Sequence, residues 1–181
     1  MVTSIKNLIT MLVLVATFTS CDQNPSLQRY FVDNELKPGF TSVDIPTSFL
    51  NIEETTLTEE QKEAYKSIDK LNMLAFIVSD DNRVEYEVEL NKVKDILRDP
   101  KYQELMRAGN NTDGKIVVKF LGEEDSIDEL VIFGSSKDKG FAVVRVLGND
   151  MSAQKVGKLY AALDTANINK DQISQFADFF K

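Results

Sequence analysis

The sequence predicts an α+β fold in which one mostly antiparallel sheet, a C-terminal three-stranded meander plus one or two earlier strands, carries helices packed on one face. Three observations lead there. Residues 115–121, 127–134 and 140–147 are strand-like and are joined by the hairpin-length connectors GEEDS (122–126) and SSKDK (135–139). Segments with apolar residues at helical spacing stand before and after this meander. Two earlier apolar stretches, 40–45 and 71–78, are available to extend the sheet.

The chain opens on a leader. Lys6 provides a basic start, an apolar run follows over 8–18, and Thr19 and Ser20 precede the single cysteine, Cys21. This is the layout of a secretory signal peptide, residues 1–20, ending in a lipoprotein cleavage site. The run is too short for a membrane span, which takes about 20 apolar residues. Small residues before the cysteine let a processing enzyme reach the backbone and let the thiol receive diacylglycerol, although Phe18 stands where bacterial lipoboxes usually have Leu. Cys21 is therefore the expected lipidation site, and each buried acyl CH₂ would contribute ~0.8 kcal/mol to the anchor. An ordinary buried cysteine, or cleavage that leaves a free thiol, are the alternatives. Residues 21–25 read as the lipidated cysteine and a short polar tether, and 26–181 as one α+β globular domain. The expected address is the cell envelope, at the outer rather than the inner membrane, with the periplasmic or surface face left open.

Leu27, Tyr30 and Phe31 recur at helical spacing over 26–36, and Lys37-Pro38-Gly39 stops that helix, because proline lacks the amide and glycine suits a turn. Residues 40–45 alternate toward a brief strand before Pro46, and 47–52 suits a helical turn burying Phe49 and Leu50. Thr58 with Gln61 forms a capping box, and Ala64, Tyr65, Ile68 and Leu71 make one stripe, which predicts a helix over 59–71. LNMLAFIV, 71–78, is short and rich in Phe, Ile and Val, as a buried strand requires.

Residues 79–82 form a turn, and Tyr86, Leu90, Val93 and Leu97 predict an amphipathic helix over 83–98. Asp99 as cap and Pro100 at the first helical position predict a further short helix, ended by Gly109. The turn-rich 110–114 then leads into the meander. Ser152 starts a helix with Val156, Leu159, Tyr160 and Leu163 on one face, and Asn169 can cap a last one with Ile173, Phe176, Ala177 and Phe180 inward. Phe179 falls off that stripe.

Composition excludes more than it assigns. The net charge of −8 becomes one unit more negative when Lys6 leaves with the leader, and no cluster of Lys or Arg offsets it locally, so nucleic acid is not an expected partner. Histidine is absent and the only cysteine is assigned to lipid, which removes the usual triads, His-rich zinc sites and imidazole acid–base chemistry. No intramolecular disulfide can form from one cysteine, and no cofactor is expected.

Acidic groups are the abundant catalytic material: Glu53/Glu54, Glu59/Glu60, Asp80/Asp81, Glu123/Glu124/Asp125 and Asp128/Glu129. Paired carboxylates run acid–base chemistry when their environments separate their pKa values. Nearly all of these stand at helix starts or hairpin turns, where carboxylates are solvated and favour the helix dipole, so no catalytic residue is assigned. Asn111, Asp113 and Gly114 match part of a calcium loop, but Gly109 replaces its first acidic ligand and Phe120 its last, so no metal is assigned. GSSKDKG, 134–140, lacks the spacing and the terminal Lys-Ser/Thr of a phosphate loop. Lys119, Glu129 and Arg145 each interrupt an apolar strand. If their registers align they share a sheet face, as a polar recognition surface or as cross-strand ion pairs on the solvated side.

The strings GFTSVDIPTSFL (39–50), LNMLAF (71–76), YQELM (102–106) and GFAVVRVLGNDM (140–151) are similar to a lipoprotein family of Bacteroidetes, domain-of-unknown-function family 4252. The similarity extends over about residues 26–160 and includes the leader–cysteine–domain layout. It implies a cell-envelope lipoprotein and carries over no catalytic or ligand residues. The expected function is a lipid-anchored, non-catalytic module that binds or scaffolds an envelope protein. An envelope-stress sensor or small-ligand carrier, and a carboxylate-dependent hydrolase, are the alternatives. A carrier would show a closed apolar cavity between sheet and helices.

Overall fold

Ser26 places its side-chain oxygen on the Arg29 amide and so starts helix α1 (Leu27–Asn34), whose Leu27, Tyr30 and Phe31 are buried. This is the first element of a computed structural model that describes residues 25–47, 57–110 and 114–165. Strand β1 (Phe40–Pro46), helix α2 (Glu59–Lys66), strand β2 (Ile68–Ile77) and helix α3 (Arg83–Leu97) follow. Then come β3 (Gln103–Asn110), β4 (Gly114–Glu123), β5 (Ser126–Ser136), β6 (Gly140–Met151) and helix α4 (Ala153–Thr165). The leader, Cys21, residues 48–56 and the last predicted helix lie outside the described residues.

The six strands form one sheet in the order β1-β2-β6-β5-β4-β3, with every neighbouring pair antiparallel. The predicted meander is its centre, and both earlier strands extend it. Register aligns Val43, Met73, Val144, Ile132, Val118 and Met106 in one row across all six strands. Side chains alternate between faces, so Phe76, Phe141 and Phe133 belong to a first face and that row defines the second.

Central β6 explains why both faces need cover: Gly140 to Val146 are buried throughout, the signature of a strand packed on both sides. On the first face α1 and α3 close over Leu74, Phe76, Val131, Phe133, Phe141 and Val143. Phe76 stacks on Phe141 with ring centroids 5.8 Å apart, and Phe40 meets Phe76 edge-on at 4.9 Å, so aromatic rings fill the space between sheet and helices. The expectation of helices on one face needs correction here. Helices α2 and α4 pack together through Ala64 and Leu159, and Ala153 and Val156 of α4 lie against the second face beside Val144, Val146 and Met151.

Two further predicted elements differ. The helix begun by Thr58 has its capping box, but it ends at Lys66, and Ile68 and Leu71 start β2. Their apolar side chains serve the second sheet face, which the helical stripe could not distinguish from a longer helix. The helix expected over 99–109 is instead a turn and edge strand β3. Asp99 accepts the Lys101 amide through its carboxylate and the Tyr102 amide through its carbonyl, closing a turn. The following chain then pairs with the free edge of β4, whose unsatisfied backbone groups outweigh a helical propensity with no apolar stripe behind it. Residues 103–109 are all exposed.

Candidate functional site

Lys119, Glu129 and Arg145 do share one sheet face, the one covered by α1 and α3. Glu129 and Arg145, each 7% exposed, form a bidentate pair in which Arg145 Nε donates to Glu129 Oε1 at 2.7 Å and an outer nitrogen donates to Oε2 at 3.0 Å. The Arg145 guanidinium also lies 5.3 Å from the centre of the Phe31 ring on α1. This pair is sealed under the helix, not presented to solvent. Lys119 stands apart from it. Its ammonium donates to the Leu97 and Tyr102 carbonyls, both at 2.7 Å, and so ties the end of α3 to the sheet. Burial lowers the Lys119 pKa from its usual value.

Beside Lys119 the first face is only partly covered: α3 packs with buried residues of β2, β5 and β6, and residues 103–109 of β3 are exposed. Two adjoining clefts run along that flank. One, of about 340 Å³, is lined by Tyr86, Glu87, Leu90 and Lys94 of α3 with Gly114, Lys115, Ser135, Ser136 and Lys137. The other, of about 420 Å³, is lined by Lys94, Leu97 and Arg98 with Glu104, Arg107, Lys115, Val117, Lys119 and Phe133. Lys94 and Lys115 line both, so the two clefts adjoin at these residues and together make up the trough.

The geometry follows from two periods. Tyr86, Leu90, Lys94 and Leu97 sit at helical spacing on one flank of α3, whereas Lys115, Val117 and Lys119 alternate along β4 and therefore point the same way. The trough is lined by the cations Lys94, Arg98, Arg107, Lys115, Lys119 and Lys137 and by the carboxylates of Glu87 and Glu104. Of its cations, Arg98 pairs with Asp95, and Arg107 donates through Nε to Glu104 Oε1 at 2.8 Å. That hydrogen bond holds the Glu104 carboxyl below the usual carboxylate range. Lys94, Lys115 and Lys137 have no ion pair among the described residues. Folding brings Lys94, Lys115 and Lys137 from three separate segments to the lining of one cleft, and the sequence reading singled out Lys119 but none of these three.

A second cleft, of about 370 Å³, lies between α1 and α3, lined by Pro25, Ser26, Arg29, Tyr30, Asp33, Lys92, Asp95 and Ile96. At its side the Tyr30 hydroxyl donates to the buried Glu89 at 2.8 Å, and Lys92 meets the other Glu89 oxygen at 2.6 Å. Burial first, then the bond to Glu89, raises the Tyr30 pKa.

The acidic pairs are dispersed. Glu59 pairs with Lys62 and Glu60 with Lys158 on the first turn of α2, Asp80 and Asp81 are exposed before α3, and Glu123, Glu124 and Asp125 are exposed in the β4–β5 turn. Glu53 and Glu54 lie outside the described residues. No group of three or more acidic or cysteine ligands is arranged around a metal position among the described residues. No described helix is long and apolar enough to cross a membrane.

No curated protein and no solved structure matches the chain. A family profile with the description "Domain of unknown function (DUF4252)" matches residues 35–159, more than half of the chain. That span begins after α1 and takes in the whole sheet, α2, α3 and the walls of the cationic trough. The chain belongs to the DUF4252 family of domains of unknown function.

Proposed function

We propose that this protein is a lipid-anchored cell-envelope module that binds, without transforming, an anionic partner in the trough between α3 and strands β3–β5. The observation that carries the reading is that Lys94, Lys115 and Lys137 line one cleft free of ion pairs among the described residues, in a chain of net charge −8. Cations left without an ion pair favour an anion supplied from outside. The leader and Cys21 support the anchor, whose acyl chains would hold the module at the membrane surface. The aromatic rings that fill the space between sheet and helices count against a small-ligand carrier.

Two measurements test this. Changing Cys21→Ser should move the protein from the membrane fraction to the soluble one, and unchanged sedimentation with membranes would count against the anchor. The full chain should be retained on immobilised polyglutamate at low salt and released as salt screens the contact, whereas Lys94→Glu/Lys115→Glu/Lys137→Glu should pass through. Turnover of an envelope polymer that is lost on changing an acidic pair would replace binding with hydrolysis.

A further inference from the structure

We infer that the C-terminal segment of this chain, residues 166–181, folds back as an amphipathic helix across the second sheet face beyond α4, with Ile173, Phe176 and Phe180 over Met73, Val144 and Ile132. That face is apolar from edge to edge along the row Val43, Met73, Val144, Ile132, Val118 and Met106. Its edges stand open, with Val43 39% and Met106 52% exposed, while Met73 and Ile132 are half-buried. One row further from the start of α4, Ala75, Ala142 and Gly134 are small and yet buried, as a row beneath bulky rings is. Connectivity names the occupant. The chain leaves α4 at Thr165 on this same face, and only Ala166, Asn167 and Ile168 separate it from the expected cap Asn169, a reach of about 14 Å at most. A connection that short returns the next helix beside α4, at the 8–10 Å typical of packed helices. One flank of α4 is taken by α2, through Ala64 against Leu159 and the Glu60–Lys158 ion pair at 2.9 Å, which leaves the other flank to the returning helix. Dimensions agree as well: from Ile173 to Phe180 is about 10 Å at the helical rise, the span of three strands, and β2, β6 and β5 present Met73, Val144 and Ile132 at that spacing.

Peroxide oxidation of methionines in the full chain reads this cover. Met151 is sealed beside α4, Met106 is exposed at the sheet edge, and Met73 lies between them beneath the inferred helix. Phe176→Asp/Phe180→Asp should speed oxidation of Met73 several-fold while Met151 stays slow and Met106 fast. Phe179→Asp, off the apolar stripe, should leave all three rates unchanged. An unchanged Met73 rate in the double variant, or an equal rise in Phe179→Asp, would overturn the inference. Should the double variant expose Met151 as well, its fold is lost and a second measurement decides. With p-benzoylphenylalanine replacing Phe176 in the otherwise native chain, irradiation should form a link within one chain to the peptide carrying Met73 or Ile132. A link joining two copies, a link to the first sheet face, or no link at all would overturn the inference.

Discussion

Arg145 on β6 grips Glu129 on β5 with two hydrogen bonds, of 2.7 and 3.0 Å, beneath the Phe31 ring of α1. The two strands are adjacent, with Arg145 opposite Val131, so the pair is a diagonal contact on the face that α1 covers. Removing one member strands the other as an uncompensated buried charge. Glu129→Ala should therefore cost about 3–5 kcal/mol in urea denaturation, while Glu129→Leu/Arg145→Met should recover much of that loss. A single variant as stable as wild type would contradict the pairing.

Tyr30 links the first helix to α3 through Glu89, a carboxylate only 5% exposed. In Tyr30→Phe the ring still packs, but one Glu89 oxygen loses its donor. The expected cost is about 1–3 kcal/mol. Lys92→Met, which removes a donor whose own side chain is half exposed, should cost less because water can replace it. Equal stability of wild type and Tyr30→Phe would contradict the Tyr30–Glu89 hydrogen bond.

Alkaline pH should unfold the protein through its tyrosines. Burial is the first cause that raises the pKa of Tyr30, Tyr86 and Tyr102 alike, with acidic neighbours adding to it. A folded pKa above the unfolded one gives stability that is complete below about pH 10 and is lost as pH rises through the folded values. Lys119 works in the opposite sense: its depressed folded value adds stability as pH rises through it toward the unfolded value near 10. One lysine is outweighed by three phenols above about pH 10. Denaturation midpoints should fall steeply there, with tyrosinate absorbance appearing together with unfolding. Ionisation of all tyrosines in a still-folded protein would contradict the burial.

Gly109 distinguishes the observed edge strand from the helix that the local sequence suggested. Its φ is +86°, and a Cβ would stand 2.2 Å from the Gly114 carbonyl oxygen across the β3–β4 hairpin. After a helix, Asn would replace such a glycine at little cost. In the hairpin, Gly109→Asn and Gly109→Ala should both destabilise, by about 1–3 kcal/mol. Calorimetric melting of the two variants checks this, and tolerance of Asn alone would favour the helix.

The elements that the sequence made legible were those whose local pattern agrees with their final packing. Tyr86, Leu90, Val93 and Leu97 predict α3 because the same stripe is buried in the structure, and the Thr58–Gln61 capping box is formed as expected. Pattern failed where another element decides. Ile68 and Leu71 fit a helix as well as a strand until β6 offers them a partner, and β3 exists because β4 has a free edge. The site divides in the same way. Shared facing of Lys119, Glu129 and Arg145 follows from strand alternation, but the cover of α1 over Glu129 and Arg145 does not. Lys94, Lys115 and Lys137 come from a helix, a strand and a turn, so only tertiary packing brings them to one trough.

Carbodiimide coupling reads that trough directly, because it joins a bound polyanion's carboxylates to the lysines they touch. With polyglutamate on the full chain, mass spectrometry should find the cross-links concentrated at Lys94, Lys115 and Lys137, and salt should suppress them. Cross-links at Lys92 beside α1, or spread evenly over the surface lysines, would contradict the trough as the binding site.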